Sequence, residues 1–239
     1  MGERHDLGFV HHRSSAMANA IREVVFGMED GMVSTLGAIT GIAVGSHSSF
    51  MVLLSGLVII MVESISMGVG SYLSNRSAHD IDKRKLGEEE FEIKHFLPEE
   101  AEEMLELFQR DGWPDRLAMD MAKAASQDKD LMLKEMAYRE LNVYPYKTNR
   151  FSHNAWFMFT FYILGGFIPL SAYIFFPLQP AMIISVILTL LGLFILGAVV
   201  TKYTRQLWWK GALRMLLLGG LALAVGYTIG RLGDMFLAV

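Results

Sequence analysis

Cysteine is absent from the 239 residues. Disulfides and thiolate ligands are thereby excluded, and carboxylate, imidazole and thioether remain as the donors available to a metal. Proline is scarce. Five of the six, Pro98, Pro114, Pro145, Pro177 and Pro180, fall where helices are expected to begin or end, and only Pro169 interrupts an apolar run. The N-terminal MGERHDLGFVHHRSS has no apolar stretch followed by a cleavage site, so it does not resemble a signal peptide. A second Glu-x-x-His pair to match Glu92 and His95 is also missing, which counts against a di-iron carboxylate centre of the bundle type.

What is present is apolar sequence in long blocks. Hydrophobic residues make up 52% of the chain, and the blocks are too long for buried strands or ordinary core helices. The expected fold is all-α, a polytopic membrane protein with five transmembrane helices and a cytoplasmic three-helix insert between helices 2 and 3. The clearest spans are Trp156 to Phe176 and Ala181 to Val200, both uncharged and near the ~20 residues a bilayer core requires. A third runs from about Leu213 to Ile229. Two less uniform spans run from about Ile21 to Ser46, carrying Glu23, Glu29 and Asp30, and from about Phe50 to Leu73, carrying Glu63. Short joints at His47 to Ser49 and at Pro177 to Pro180 predict antiparallel hairpins.

The domain plan is a cytoplasmic N-terminal segment (1–20), helices 1 and 2 (21–75), a helical metal-binding domain (76–150) and helices 3 to 5 (151–239). Of the 21 Lys and Arg, only Arg231 falls near the face opposite the N-terminus. The excess of positive residues therefore puts the N-terminus and the insert in the cytoplasm. A prokaryotic inner membrane is the expected location, and no nucleic-acid partner is expected.

The net charge of −4 conceals a segregation of sign, with eleven Asp and Glu against four Lys and Arg between Asp80 and Glu106. Within the insert the first helix is expected to continue span two, the second to follow Pro98 and end at Gly112, and the third to run from Pro114 to Leu141. Residues three or four apart share a helix face. Glu89 with Glu92, Glu100 with Glu103, and Met136 with Glu140 therefore form one pair per helix, able to converge on a cation. The competing reading is a solvated acidic face. Like charges one turn apart are mildly destabilising without a counter-ion, and oxygen donors with one thioether suit Fe²⁺ or Mn²⁺ better than Ca²⁺.

Inside the spans, Asp30 and Glu63 are the costly residues, because a carboxylate in hydrocarbon normally faces a bundle interior, a water path or a cation. Glu63 lies one helical turn before Met67, so carboxylate and thioether share a face of span two. Glycines at Gly27 and Gly31, then Gly37, Gly41 and Gly45, allow close helix approach. Gly165, Gly166 and Pro169 are expected to loosen span three locally.

The segments REVVFGMEDGMVS, SISMGVGSYLSNRS and GGFIPLSAY, with the acidic insert, resemble the vacuolar iron transporter family over nearly the whole chain. Collinearity makes the resemblance specific, since Asp30, Met67, Glu89, Glu92, Glu100, Glu103, Met136 and Glu140 match the family pattern without insertions. It implies a homodimer in which Asp30 and Met67 line a translocation path while the six insert residues gather ions at its cytoplasmic mouth. It also implies transport of Fe²⁺ out of the cytoplasm in exchange for protons, with Mn²⁺, Zn²⁺ and Co²⁺ as further cargo candidates, and neither a prosthetic group nor an enzymatic activity. One departure concerns the glutamate that the family commonly carries two turns before the span-two methionine. Here that position is Ile59, and Glu63 is expected to take its role. The alternative function is a membrane-anchored, ferritin-like iron-oxidising or iron-storage protein; a docking surface for a basic partner is a third.

Overall fold

The computed structural model describes residues 16–143, 151–204 and 207–237, and eight helices make up the fold of these residues. They are α1 (Ala16–Ser46), α2 (Ser49–His95), α3 (Leu97–Arg110), α4 (Asp115–Ser126), α5 (Lys129–Arg139), α6 (Phe151–Phe175), α7 (Leu178–Thr204) and α8 (Trp208–Leu237). No strand occurs among the described residues. The expected N-terminal segment through Ser15 and the basic re-entry at Lys147 and Arg150 lie outside them. The chain divides into one unit of residues 1–72 and 150–239 and a second of residues 73–149.

In the first unit, α2, α6, α7 and α8 are each long and apolar enough to cross a membrane. Helix α1 falls short by composition, because its first half carries Arg22, Glu23, Glu29 and Asp30. Four of the five expected spans are thus present by length and hydropathy. Helix α1 packs against α6, α7 and α8, and Met32, Leu36 and Ile39 on it are fully buried. Its glycines explain the close approach. A Cβ on Gly27 would stand 2.8 Å from the Met158 carbonyl oxygen of α6, and one on Gly41 would stand 2.9 Å from that of Gly226 on α8. Backbones therefore meet directly where side chains would separate them. Outward-facing residues of α7 and α8, such as Ile183, Leu191, Leu217 and Leu221, are exposed and apolar, as a lipid-facing surface requires.

Helix α6 continues through Pro169 without a break. Gly165 and Gly166 are seated against Met28 of α1 and Ile60 of α2, and the hydroxyl of Ser185 donates to the Pro169 carbonyl at 2.8 Å. The region expected to be loose is closely packed. The joint between α1 and α2 is two residues, with His47 in the left-handed region at φ 50°.

The second unit is built around an apolar cluster of Ile93 from α2, Met104, Leu107 and Phe108 from α3, Ala118, Ala122 and Ala125 from α4, and Met132 and Met136 from α5. Helix α3 starts at Leu97 and Pro98, places Glu99 and Glu100 in its first turn where the helix dipole favours anions, and ends at Gly112 with φ 90°. Two bonds close that end, Gly112 N–H to Gln109 O at 2.9 Å and Trp113 N–H to Phe108 O at 3.2 Å, an arrangement only glycine adopts without strain. The expected third helix is two helices. Asp128 interrupts it by accepting from the backbone N–H groups of Asp130 at 3.0 Å and Leu131 at 3.2 Å, which caps a new helix start. Arg139, only 13% exposed, ties α5 to the end of α3 through its ion pair with Asp111 and by lying 4.6 Å from the centre of the Phe108 ring, and Glu135 pairs with it within α5.

Candidate functional site

Two groups of carboxylates stand out, one in each unit. In the first unit, α1 and α2 bring Asp30 and Glu63 close enough to interact through their charges. Both are half-buried. Helix α6 supplies a third participant, the fully buried Tyr162, whose hydroxyl donates to Glu63 Oε2. Ser34, one turn after Asp30 on α1, lies 2.5 Å from the same hydroxyl. Since Tyr162 gives its only proton to Glu63, Ser34 is the donor in that second bond. Three helices thus meet through one hydrogen-bonded chain.

Met67 is half-buried one turn from Glu63, and Ile59, one turn to the other side, is also half-buried. Helices α1 and α8 border an open groove of about 750 Å³, with Asp30 and Ser34 among its lining residues and Gly37, Gly41, Ala222 and Gly226 in its otherwise apolar walls. Glu29 lies next to Asp30 and is likewise half-buried.

In the second unit the five predicted glutamates come together. Glu89 is 2% exposed and Glu100 7% exposed, whereas Glu92, Glu103 and Glu140 are open to solvent. Burial and the nearby charges of Glu140 and Glu100 push the Glu89 carboxyl up to about 8. Glu89 lies close to both neighbours, so a proton held there relieves the repulsion among the three groups. Glu100 is raised by burial and by Glu103, Glu92 and Glu140; Glu103 is raised by burial, then by Glu140 and Glu92. One oxygen of each buried pair member, Glu89 Oε1 and Glu100 Oε2, has no hydrogen-bonding partner. An unpaired buried carboxylate oxygen is costly, and a cation satisfies it.

Among the described residues, no three Asp, Glu or His side chains stand at the distances of a finished metal site. The carboxylates adjoin one another without surrounding a common point. Met136, fully buried, belongs to the apolar cluster with Ile93, Met104 and Phe108, one turn from Glu140. His95 is turned to its own helix, with Nδ1 2.8 Å from the Phe91 carbonyl oxygen and its ring stacked on Phe91. The Glu-x-x-His pair of Glu92 and His95 is therefore not assembled as a chelate.

Sequence reasoning missed Tyr162 and Ser34. It also left Glu23 unassigned, although that carboxylate is 3% exposed and tied to Arg22 at 2.8 Å and to the Ser71 hydroxyl at 3.2 Å. Its only sequence signal was a charge among apolar residues.

These features define an integral membrane protein whose helices enclose paired carboxylates and whose second unit carries a carboxylate cluster. The profile of the VIT family matches residues 21–231, and the chain belongs to that family. Vacuolar iron transporter 1 of Eucalyptus grandis is 30% identical over 88% of this chain and 85% of its own length. Its namesake in Arabidopsis thaliana is 28% identical over the same shares. The vacuolar iron transporter of Plasmodium falciparum is 26% identical over 96% of this chain and 84% of its own.

Proposed function

We propose that this chain is a transporter that moves Fe²⁺, with Mn²⁺ as a second cargo, out of the cytoplasm in exchange for protons. The observation that carries the reading is the meeting of Asp30 and Glu63 from two helices inside an apolar bundle, one turn from a thioether. Two carboxylates so placed repel each other unless a cation or a proton lies between them. Hard oxygen with soft sulfur makes a weak mixed site for a borderline ion, which must bind and leave repeatedly. The relatives' name, vacuolar iron transporter, supports iron as the cargo.

In this reading α1 is a fifth span, its polar groups turned towards α2 and α6, and the second unit lies in the cytoplasm with the N-terminus. Glu89, Glu92, Glu100, Glu103 and Glu140 gather cations there, raising their local concentration, and Met136 adds a thioether from the core side. The protein works as a homodimer whose second copy covers the groove along α1 and α8. Asp30 opens into that groove, so each copy would add a carboxylate to one shared path.

Uptake of Fe²⁺ and Mn²⁺ into proteoliposomes containing a pH-sensitive dye tests cargo, transport and coupling together. Met67→Leu is expected to abolish transport while binding by the glutamate cluster persists. Wild-type transport by that variant would overturn the path, and metal uptake with no counter-movement of protons would overturn the exchange.

A further inference from the structure

Tyr162 is a polar side chain of α6 that reaches both carboxylate-bearing helices of the first unit. Its backbone is fixed before its side chain is considered. A Cβ on Gly27 would stand 3.2 Å from the Tyr162 nitrogen, and one on Gly31 would collide with the Tyr162 carbonyl, so α6 rests on α1 at this residue. Packing at backbone level sets where the ring can go, and the fully buried ring sets where the hydroxyl can go. That hydroxyl donates to Glu63 Oε2 and accepts from Ser34.

We propose that Tyr162 is the positioning residue of the ion path, holding the Glu63 carboxylate beside Asp30 so that an arriving cation meets two oxygen donors already in place. The proposal rests on the reading of Asp30, Glu63 and Met67 as that path. A glutamate has three rotatable side-chain bonds and in an apolar bundle has many ways to turn from its neighbour. The bond from Tyr162 engages Oε2 and leaves Oε1 for the ion. Preorganisation of this kind lowers the ordering cost of binding. Ser34, on the same face of α1 as Asp30, keeps the phenol from rotating away, so the alignment is shared by α1, α2 and α6.

The test is a double-mutant cycle of Fe²⁺ transport by the full chain in proteoliposomes under anaerobic conditions, using Tyr162→Phe, Glu63→Gln and the pair. Tyr162→Phe removes one oxygen and keeps the ring. Loss of a hydrogen bond to a charged group corresponds to about a tenfold rise in KM, with the maximal rate within about twofold of wild type because the path stays intact. Added to Glu63→Gln, it is expected to have no further effect. Ser34→Ala should raise KM in the same direction by a smaller factor, and it decides the matter through the same cycle if Tyr162→Phe does not fold. Equal losses in the wild-type and Glu63→Gln backgrounds would mean that Tyr162 acts by packing alone, overturning this proposal and leaving the path intact. Wild-type transport by Glu63→Gln would instead remove Glu63 from the path and end the positioning role with it.

Discussion

The glutamate cluster of the second unit makes a prediction about protons that can be worked through from burial and charge. In the metal-free protein Glu89 is raised from 4.5 to about 8 by burial first and by Glu140 and Glu100 second. The folded state therefore binds more protons than the unfolded state across that interval. The stability that Glu89 contributes is fully present below pH 4.5 and is lost as pH rises through 8. Ionising Glu89 costs on the order of 5 kcal/mol across the interval, taking about 1.4 kcal/mol per pH unit. Glu89 is therefore mainly protonated at pH 7 and mainly ionised well above pH 8. Metal that replaces this proton should release nearly one proton per ion at pH 7 and clearly fewer at pH 8.5. Calorimetric titration of the detergent-solubilised, metal-stripped chain with Mn²⁺, in buffers of different ionisation enthalpy, counts them. Melting curves should show the metal-free protein losing stability from pH 5 to 8.5, with added Mn²⁺ flattening the slope. Glu89→Gln should be more stable than wild type at pH 8 and bind Mn²⁺ more weakly. Stability that stays flat or rises with pH, together with no proton release at pH 7, would show that the glutamates form an ordinary solvated face.

Two further outcomes concern architecture. Asp128→Ala removes the cap of α5 and should cost about 1 kcal/mol, read as roughly fivefold faster hydrogen exchange at the amides of Asp130 and Leu131; unchanged exchange would show the cap to be incidental. Gly226→Leu forces a side chain into the backbone contact with Gly37 and should destabilise the bundle by about 1–3 kcal/mol. Gly220→Leu, where a Cβ meets nothing within 4 Å, should leave the unfolding midpoint unchanged; equal effects of the two would refute the close approach of α1 and α8.

Legibility in the sequence followed the range of the forces involved. Helices α2, α3, α6, α7 and α8 were readable because long apolar runs, Pro98 and Gly112 act locally. The break before α5 was not, because the apolar spacing of Ala118, Ala122, Ala125, Met132 and Met136 continues unchanged across it and all five residues are buried. Only the capping side chain of Asp128 marks the stop. Among the candidate residues, the glutamate pairs were visible as spacing, and the structure adds that Glu89 and Glu100 are buried while their partners are not. Tyr162 lies 99 residues from Glu63 in a span rich in aromatics, so nothing near it in sequence separates a hydrogen-bond donor from a packing ring.

The glycine faces of α1 have a mechanical consequence. Helices that interlock through bulky side chains resist both separation and sliding, since ridges must climb out of grooves. Where backbone lies on backbone, as at Gly41 with Gly226, separation is still opposed by close contact, but shape offers little friction along the axis. Helix α1, which carries Asp30, therefore meets α8 along a smooth face, while its buried Met32, Leu36 and Ile39 supply the interlocking contacts on its other sides. The bonds from Ser34 to the Tyr162 hydroxyl of α6 and from Ser71 of α2 to Glu23 are polar ties that resist such sliding.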